Sequence, residues 1–156
     1  MGAGKSTVGR RLAHKLGWKF IDLDEEIERR EHRSIPDIFK QDGEPRFRAL
    51  ERLCLKDFSS SPRTVVALGG GAFVDQENRD LAENTGVTVW LKVSFAKVAE
   101  RVKIDGTRPN FADPQKAEQL FHSRQAHYAL AKVHIATDGV SPDSVADEII
   151  GVIRRS

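Results

Sequence analysis

An α/β domain with a parallel sheet is the fold class this sequence predicts, on three observations. Apolar runs of strand length, Lys19-Phe20-Ile21-Asp22, Thr64 to Leu68, Val87 to Leu91 and Val133 to Ala136, recur along the 156-residue chain. Helix-length segments separate them, and strands alternating with helices imply crossover connections and a sheet covered on both faces. The third observation is the glycine-rich turn Met1-Gly2-Ala3-Gly4-Lys5-Ser6-Thr7, which opens the amphipathic run Val8 to Leu16. Glycines let a backbone approach a ligand closely and a helix N-terminus favours negative charge, so this stretch presents N–H groups to phosphate.

Each element has its own signal. Lys19 to Asp22 ends in an acid, which places a carboxylate at the C-terminal edge of a strand, where ligands bind in open α/β sheets. A helical run follows from Glu25 to Glu31, and Asp24 is placed to cap it. Ser34 with Asp37 predicts a capped short helix, Ile35 to Lys40, ended by a turn at Asp42-Gly43. Glu44 to about Phe58 reads as a longer helix, with Phe47, Leu50, Leu53, Cys54 and Phe58 at the spacing of a buried face and Arg48, Glu51 and Arg52 off that stripe. Thr64 to Leu68, bounded by Ser-Ser-Pro and Gly69-Gly70-Gly71, and Val87 to Leu91 have the continuous apolar character of buried parallel strands. Lys103 to Pro114 is a polar, turn-rich loop of the length that is usually functional. Pro142 and Asp143 start a final helix, Ser144 to Arg155.

Composition narrows the function classes. One domain, 1–156, accounts for the length without disulfides or structural metals. Basic and acidic residues nearly balance, 25 against 23, and the densest basic stretch, Arg29-Arg30-Glu31-His32-Arg33, is interleaved with acids as a solvated helix face is. No nucleic-acid partner is expected. The single cysteine, Cys54, excludes an intramolecular disulfide and a multi-thiolate zinc site, suits a reducing compartment, and is expected in the core. No run is long enough to span a bilayer. Met1-Gly2 with Ser6 satisfies the N-myristoylation pattern, but the phosphate-binding turn requires the same letters.

The polar residues at strand ends and in loops make the set that phosphoryl transfer requires: phosphate donors, a metal, a positioned acceptor hydroxyl and cations for the charge that develops. Lys5 is placed to reach β- and γ-phosphates and Ser6 to ligate Mg²⁺. Asp22 is a second Mg²⁺ candidate, directly or through water, and Asp24 a hydrogen-bond acceptor for the substrate hydroxyl. Gly69-Gly70-Gly71 after a strand costs backbone entropy and gives no packing, which points to close ligand approach. Arg48 and Arg124 offer guanidinium forks for a carboxylate, and Arg108 is suited to closing over phosphates.

Taken together these residues resemble shikimate kinase, a P-loop kinase of the nucleoside monophosphate kinase type. The resemblance covers essentially the whole chain and rests on Gly2 to Thr7, Asp22-Leu23-Asp24, Phe47-Arg48 with Glu51, Gly69-Gly70-Gly71, Arg108-Pro109, and Arg124 with Tyr128. The spacings agree, with nineteen residues from Lys5 to Asp24 and twenty-four from Asp24 to Arg48. The resemblance implies a three-layer P-loop NTPase-type sandwich with a parallel sheet of order 2-3-1-4-5, and ATP-dependent phosphorylation of shikimate at its 3-hydroxyl. It implies that Gly2, Ala3, Gly4, Lys5, Ser6 and Thr7 bind ATP, that Arg101 lies near the adenine, and that Ser6 and Asp22 serve Mg²⁺. Lys5, Asp24 and Arg108 are the implied catalytic residues, with Arg108 in a lid of about 103–114. Asp24, Arg48, Gly69, Gly70, Gly71 and Arg124 would line the shikimate pocket, with Phe39 and Phe47 as its apolar wall. A cytoplasmic monomer, free of membrane and nucleic acid, is the expected state.

Three departures stand out. The pattern GxxxxGK[ST] places its first glycine before Met1, as it does the family's first strand, which is central and lies between those at Thr64 and Val87. Its loss would leave two strand edges unpaired, so Met1 is expected to be internal to a longer natural chain, about ten residues from its start. Asn110-Phe111 replaces the apolar pair usual after Arg-Pro, and His127 precedes Tyr128. The competing expectations are a catalytically weak homologue that acts by binding, and a kinase of another small hydroxyl substrate such as gluconate or a nucleotide.

Overall fold

The computed structural model describes residues 3–105 and 113–156, the side chains of 102–105 excepted. Gly2, Arg108, Pro109, Asn110 and Phe111, and with them most of the expected lid, lie outside the described residues. The elements run α1 (Lys5–Leu16), β1 (Lys19–Asp22), α2 (Leu23–Glu31), α3 (Ile35–Asp42), α4 (Glu44–Ser59), β2 (Thr64–Ala67), a 3₁₀ turn (Ala72–Val74), α5 (Gln76–Thr85), β3 (Val89–Lys92), α6 (Phe95–Asp105), α7 (Pro114–Tyr128), β4 (Val133–Ala136) and α8 (Pro142–Arg155).

The helix boundaries have local causes. Asp22, Ser34, Asp75 and Ser141 cap α2, α3, α5 and α8, each accepting a backbone N–H of the first turn, which satisfies a donor the helix itself cannot. At α2 the cap is therefore Asp22 rather than Asp24; its Oδ1 accepts from Glu25 N at 3.2 Å, and the helix begins two residues earlier than Glu25. Gly17 ends α1 with φ 67°, and its N–H returns to Ala13 and His14 carbonyls, the left-handed stop that a residue without Cβ adopts cheaply. The arginines around α2 are paired as expected of a solvated face: Arg29 and Arg30 with Glu26, and Arg33 with Glu31 and Asp42.

The strands pair in parallel, β1 with β2 (Lys19↔Thr64 to Asp22↔Ala67) and β3 with β4 (Val89↔Val133 to Lys92↔Ala136). Helices cover both faces. On one, Val8 and Leu12 of α1 pack with Val145, Ala146 and Ile149 of α8, and Val65 and Val89 join them from the strands. On the other, Leu23, Ile27, Ile38, Phe47, Cys54 and Leu55 of α2 to α4 pack beneath Val66 and Leu68. Val65 and Val66 thus serve opposite cores, as the period-2 alternation of a strand requires. Three layers result.

Among the described residues no strand lies between β2 and β3. The two pairs face each other across a cavity of about 520 Å³ whose walls include Val65 and Ala67 of β2, Val89 and Leu91 of β3, and Val8 and Leu12 of α1. This corrects one expectation. Thr64 to Val66 and Thr88 to Leu91 are half-buried rather than buried, and Val87 is 48% exposed and precedes β3, because the space that would cover their inner edges is open. Two further corrections fall on α4. Leu53, expected on the buried face, is 56% exposed, whereas Glu51, expected off it, is 1% exposed. Cys54 is buried as expected. The segment expected as loop from Lys103 contributes 103–105 to α6, and Pro114 opens α7.

Candidate active site

The phosphate-binding turn feeds α1 through Gly4, whose φ of 79° and ψ of 22° are left-handed, a conformation that glycine adopts without steric cost. No side chain caps this helix and its first turn carries no acid, whereas α2, α3, α5 and α8 have both. A helix N-terminus left uncapped, with Lys5 as its first residue, fits an anion supplied from outside. Ala3 and Lys5 open onto the 520 Å³ cavity, together with Gly69, Gly70, Arg124 and Tyr128. Thr7, expected to bind ATP, is exposed beside Arg10 and Arg11 and does not line this cavity. A Cβ built on Gly4 would lie 3.8 Å from Arg101 Nη1, so α6 brings its arginine against this turn.

Behind the turn, Ser6 Oγ donates to Asp22 Oδ2 at 2.5 Å. The two residues expected to serve Mg²⁺ are therefore adjacent, although sixteen positions apart. Among the described residues no group of three or more His, Cys, Asp or Glu could hold a metal. A hydroxyl and one carboxylate instead fit Mg²⁺ that takes its remaining ligands from phosphate and water.

On the substrate side, the segment after β2 is the meeting point. A Cβ on Gly69 would lie 2.8 Å from Asp24 Oδ1, and one on Gly71 would lie 2.5 Å from Arg48 Nη1. A side chain at either glycine would displace the tip of Asp24 or Arg48. Gly71 has φ −94° and ψ −12°, which any residue adopts. Arg48 projects from the first turns of α4, its guanidinium 5.2 Å from the centroid of the Phe47 ring, and Nη1 donates to Glu51 Oε1 and Oε2 at 3.1 and 3.3 Å. Glu51 is held in the core beneath it. Burial pushes its carboxyl above the ordinary range, against the pull of Arg48. Periodicity missed this residue, yet its spacing of three from Arg48 is that of a helical ion pair and was the available signal. Phe39 lies on Phe47 with ring centroids 4.8 Å apart, a wall with one buried and one exposed ring.

Arg124 reaches the same segment through Tyr128. The Tyr128 hydroxyl donates to the Gly70 carbonyl, and Arg124 lies beside the phenol, whose ionisation burial opposes and the guanidinium favours. Lys5, Gly69, Gly70 and Arg124 thus share one cavity, with Ser6 bonded to Asp22, Arg101 against Gly4, Asp24 against Gly69 and Arg48 against Gly71.

An anion-binding turn opening a helix, a hydroxyl and carboxylate side by side behind it, and arginines facing an acid across a glycine segment define a phosphotransferase of the P-loop kinase class. A family model described as "Shikimate kinase" matches residues 1–154. The shikimate kinase of Persephonella marina is 43% identical over 155 residues, covering 99% of this chain and 94% of the relative. That of Caulobacter vibrioides is 45% identical over 153 residues, 96% and 76%. Among solved structures, shikimate kinase from Acinetobacter baumannii in complex with shikimate superposes with a TM-score of 0.93 at 36% identity, covering 99% of this chain and 89% of that one. Shikimate kinase from Aquifex aeolicus follows at 0.89 and 35%, with coverages of 99% and 92%. The chain belongs to the shikimate kinase family.

Proposed function

We propose that this protein transfers the γ-phosphoryl group of ATP to the 3-hydroxyl of shikimate, giving shikimate 3-phosphate and ADP. The observation that carries the reading is the convergence of Asp24, Arg48 and Arg124 on Gly69-Gly70-Gly71, an arrangement with one hydrogen-bond acceptor and two guanidinium groups for a small hydroxylated carboxylate. Family membership and the shikimate-bound relative support the same substrate.

Arg48 and Arg124 hold the substrate carboxylate, each as a planar fork that matches its two oxygens. Glu51 keeps the Arg48 fork from rotating away. Asp24 accepts a hydrogen bond from the acceptor hydroxyl and so orients the attacking oxygen. Ala3, Gly4 and the α1 amides bind phosphate oxygens, Lys5 places its charge on the β and γ groups, and Arg101 lies alongside. Mg²⁺, when bound, supplies positive charge against the phosphates' developing charge. Ser6 and Asp22, adjacent behind the turn, would hold it. Gly2 and Arg108 complete the set, the first at the phosphates and the second as the lid cation. The protein acts as a cytoplasmic monomer, and no helix among the described residues is long and apolar enough to cross a membrane.

A coupled ADP-release assay with shikimate, gluconate and a nucleoside monophosphate as alternative acceptors tests the reading. Shikimate-dependent ADP formation, absent with the other two, is the expected result. Turnover of gluconate instead would refute the substrate assignment, and binding of shikimate and ATP without ADP release would assign a binding role.

A further inference from the structure

Tyr128 ends α7 and touches more of the site than its place at a helix terminus foretells. Its hydroxyl donates to the carbonyl of Gly70, fifty-eight positions away. Arg124, one helical turn earlier on the same face, lines the same cavity as Tyr128 and Gly70 and lies beside the phenol, as the i, i+4 geometry of a helix permits. The ring is fixed from a third direction by Trp90 of β3, at 6.3 Å between centroids and 51° between planes. Trp90 in turn is held edge-on by His134 of β4 at 5.1 Å. One hydroxyl therefore joins α7 to the middle glycine of the segment whose outer glycines pack on Asp24 and Arg48.

We propose that Tyr128 is a positioning residue for shikimate: by lying against Arg124 and bonding the Gly70 carbonyl at once, it sets where the second guanidinium stands relative to Arg48 and Asp24. The inference rests on the reading of Arg124 as a carboxylate ligand. The physical reasoning is that a lone arginine on a helix terminus has several rotamers of similar energy, and that fixing one before substrate arrives removes an ordering cost from binding. Arg48 is fixed in an equivalent way by the buried Glu51. Arg124 has the phenol of Tyr128 beside it for that purpose.

A purely structural tyrosine would act through its ring, and the ring is what Tyr128→Phe retains. The expected result for Tyr128→Phe is a KM for shikimate raised by about tenfold, with the KM for ATP changed by less than about twofold. Combined with Arg124→Ala, the loss should be no larger than for Arg124→Ala alone, because both changes remove the same interaction. An unchanged KM for shikimate, equal effects on both substrates, or additive losses in the double variant would overturn the proposal.

A second measurement does not depend on turnover. Ala72 N donates to Gly69 O at 3.1 Å and Val74 N to Gly71 O at 3.3 Å, so amide hydrogen exchange at 72 and 74 reports opening of the glycine segment. Tyr128→Phe should accelerate exchange there by about tenfold or more while β1 and β2 amides keep the wild-type rate. Exchange unchanged at 72 and 74 would refute the tether even if the protein proved to phosphorylate another acceptor. Faster exchange with no shikimate turnover would keep the tether and reject shikimate as its beneficiary.

Discussion

Gly71→Ala tests the substrate pocket with a single methyl group. The added Cβ would lie 2.5 Å from Nη1, 2.6 Å from Nη2 and 2.8 Å from Cζ of Arg48. Ordinary heavy-atom contact needs about 3.5 Å or more, so the guanidinium must retreat by about 1 Å. It cannot do so freely. Nη1 is bonded to Glu51 Oε1 at 3.1 Å, and a retreat of that size takes the bond beyond hydrogen-bonding distance or turns the fork away from the substrate. A hydrogen bond to a charged group is worth about 1.5–3 kcal/mol, which predicts a KM for shikimate raised by about 10- to 150-fold. The backbone conformation of Gly71 is one that alanine adopts, so folding should be preserved. Steady-state kinetics for both substrates, with a thermal melt, decide the matter. A KM for shikimate within twofold of wild type would refute the reasoning, and so would a collapse of the melting temperature.

Gly69→Ala strikes the other side of the same segment, where its Cβ would lie 2.8 Å from Asp24 Oδ1. On the proposed role of Asp24 in orienting the acceptor hydroxyl, kcat should fall by about tenfold or more while the KM for shikimate moves less, and the reverse pattern would remove Asp24 from that role. Glu26 carries a pH prediction. Hydrogen bonds from Arg29, and from Arg30 after the desolvation that opposes them, draw its carboxyl down to about 2 from 4.5. A depressed carboxylate stabilises the fold above its unfolded pKa and loses that contribution as pH falls from 4.5 toward 2. Solvent reaches both arginines, so Glu26→Gln should cost about 1 kcal/mol at pH 7. That difference should shrink in melts below pH 4.5 and be lost only as pH falls through the folded value of about 2, and a gap independent of pH would contradict the assignment. Cys54 is buried in the α2–α4 core, its thiol pushed up to about 11 by burial. It should resist a thiol-specific disulfide reagent in the folded protein and react on unfolding, and rapid reaction in the native state would show that the core opens there.

The elements of this protein were legible in its sequence because the forces that place them are local. A capping serine or aspartate satisfies amides within three residues, apolar runs of four or five announce strands, and a glycine turn entering a helix with Lys5-Ser6 announces an anion site wherever it occurs. The candidate set from Lys5 through Asp22, Asp24, Arg48 and the three glycines to Arg124 came from positions at strand ends and in loops together with the resemblance to shikimate kinase. Which side chain faces inward was not legible. Leu53 stands in solvent and Glu51 in the core, because the buried face of α4 is chosen by what α2, α5 and the glycine segment press against it, and a charged partner in Arg48 makes the carboxylate tolerable there. The half-buried faces of β2 and β3 follow from the open space between the two strand pairs, which no periodicity within either strand records. Gly69 against Asp24, Gly71 against Arg48 and Tyr128 against Gly70 join residues distant in the chain. Their geometry depends on how the layers pack, and only the tertiary structure decides it.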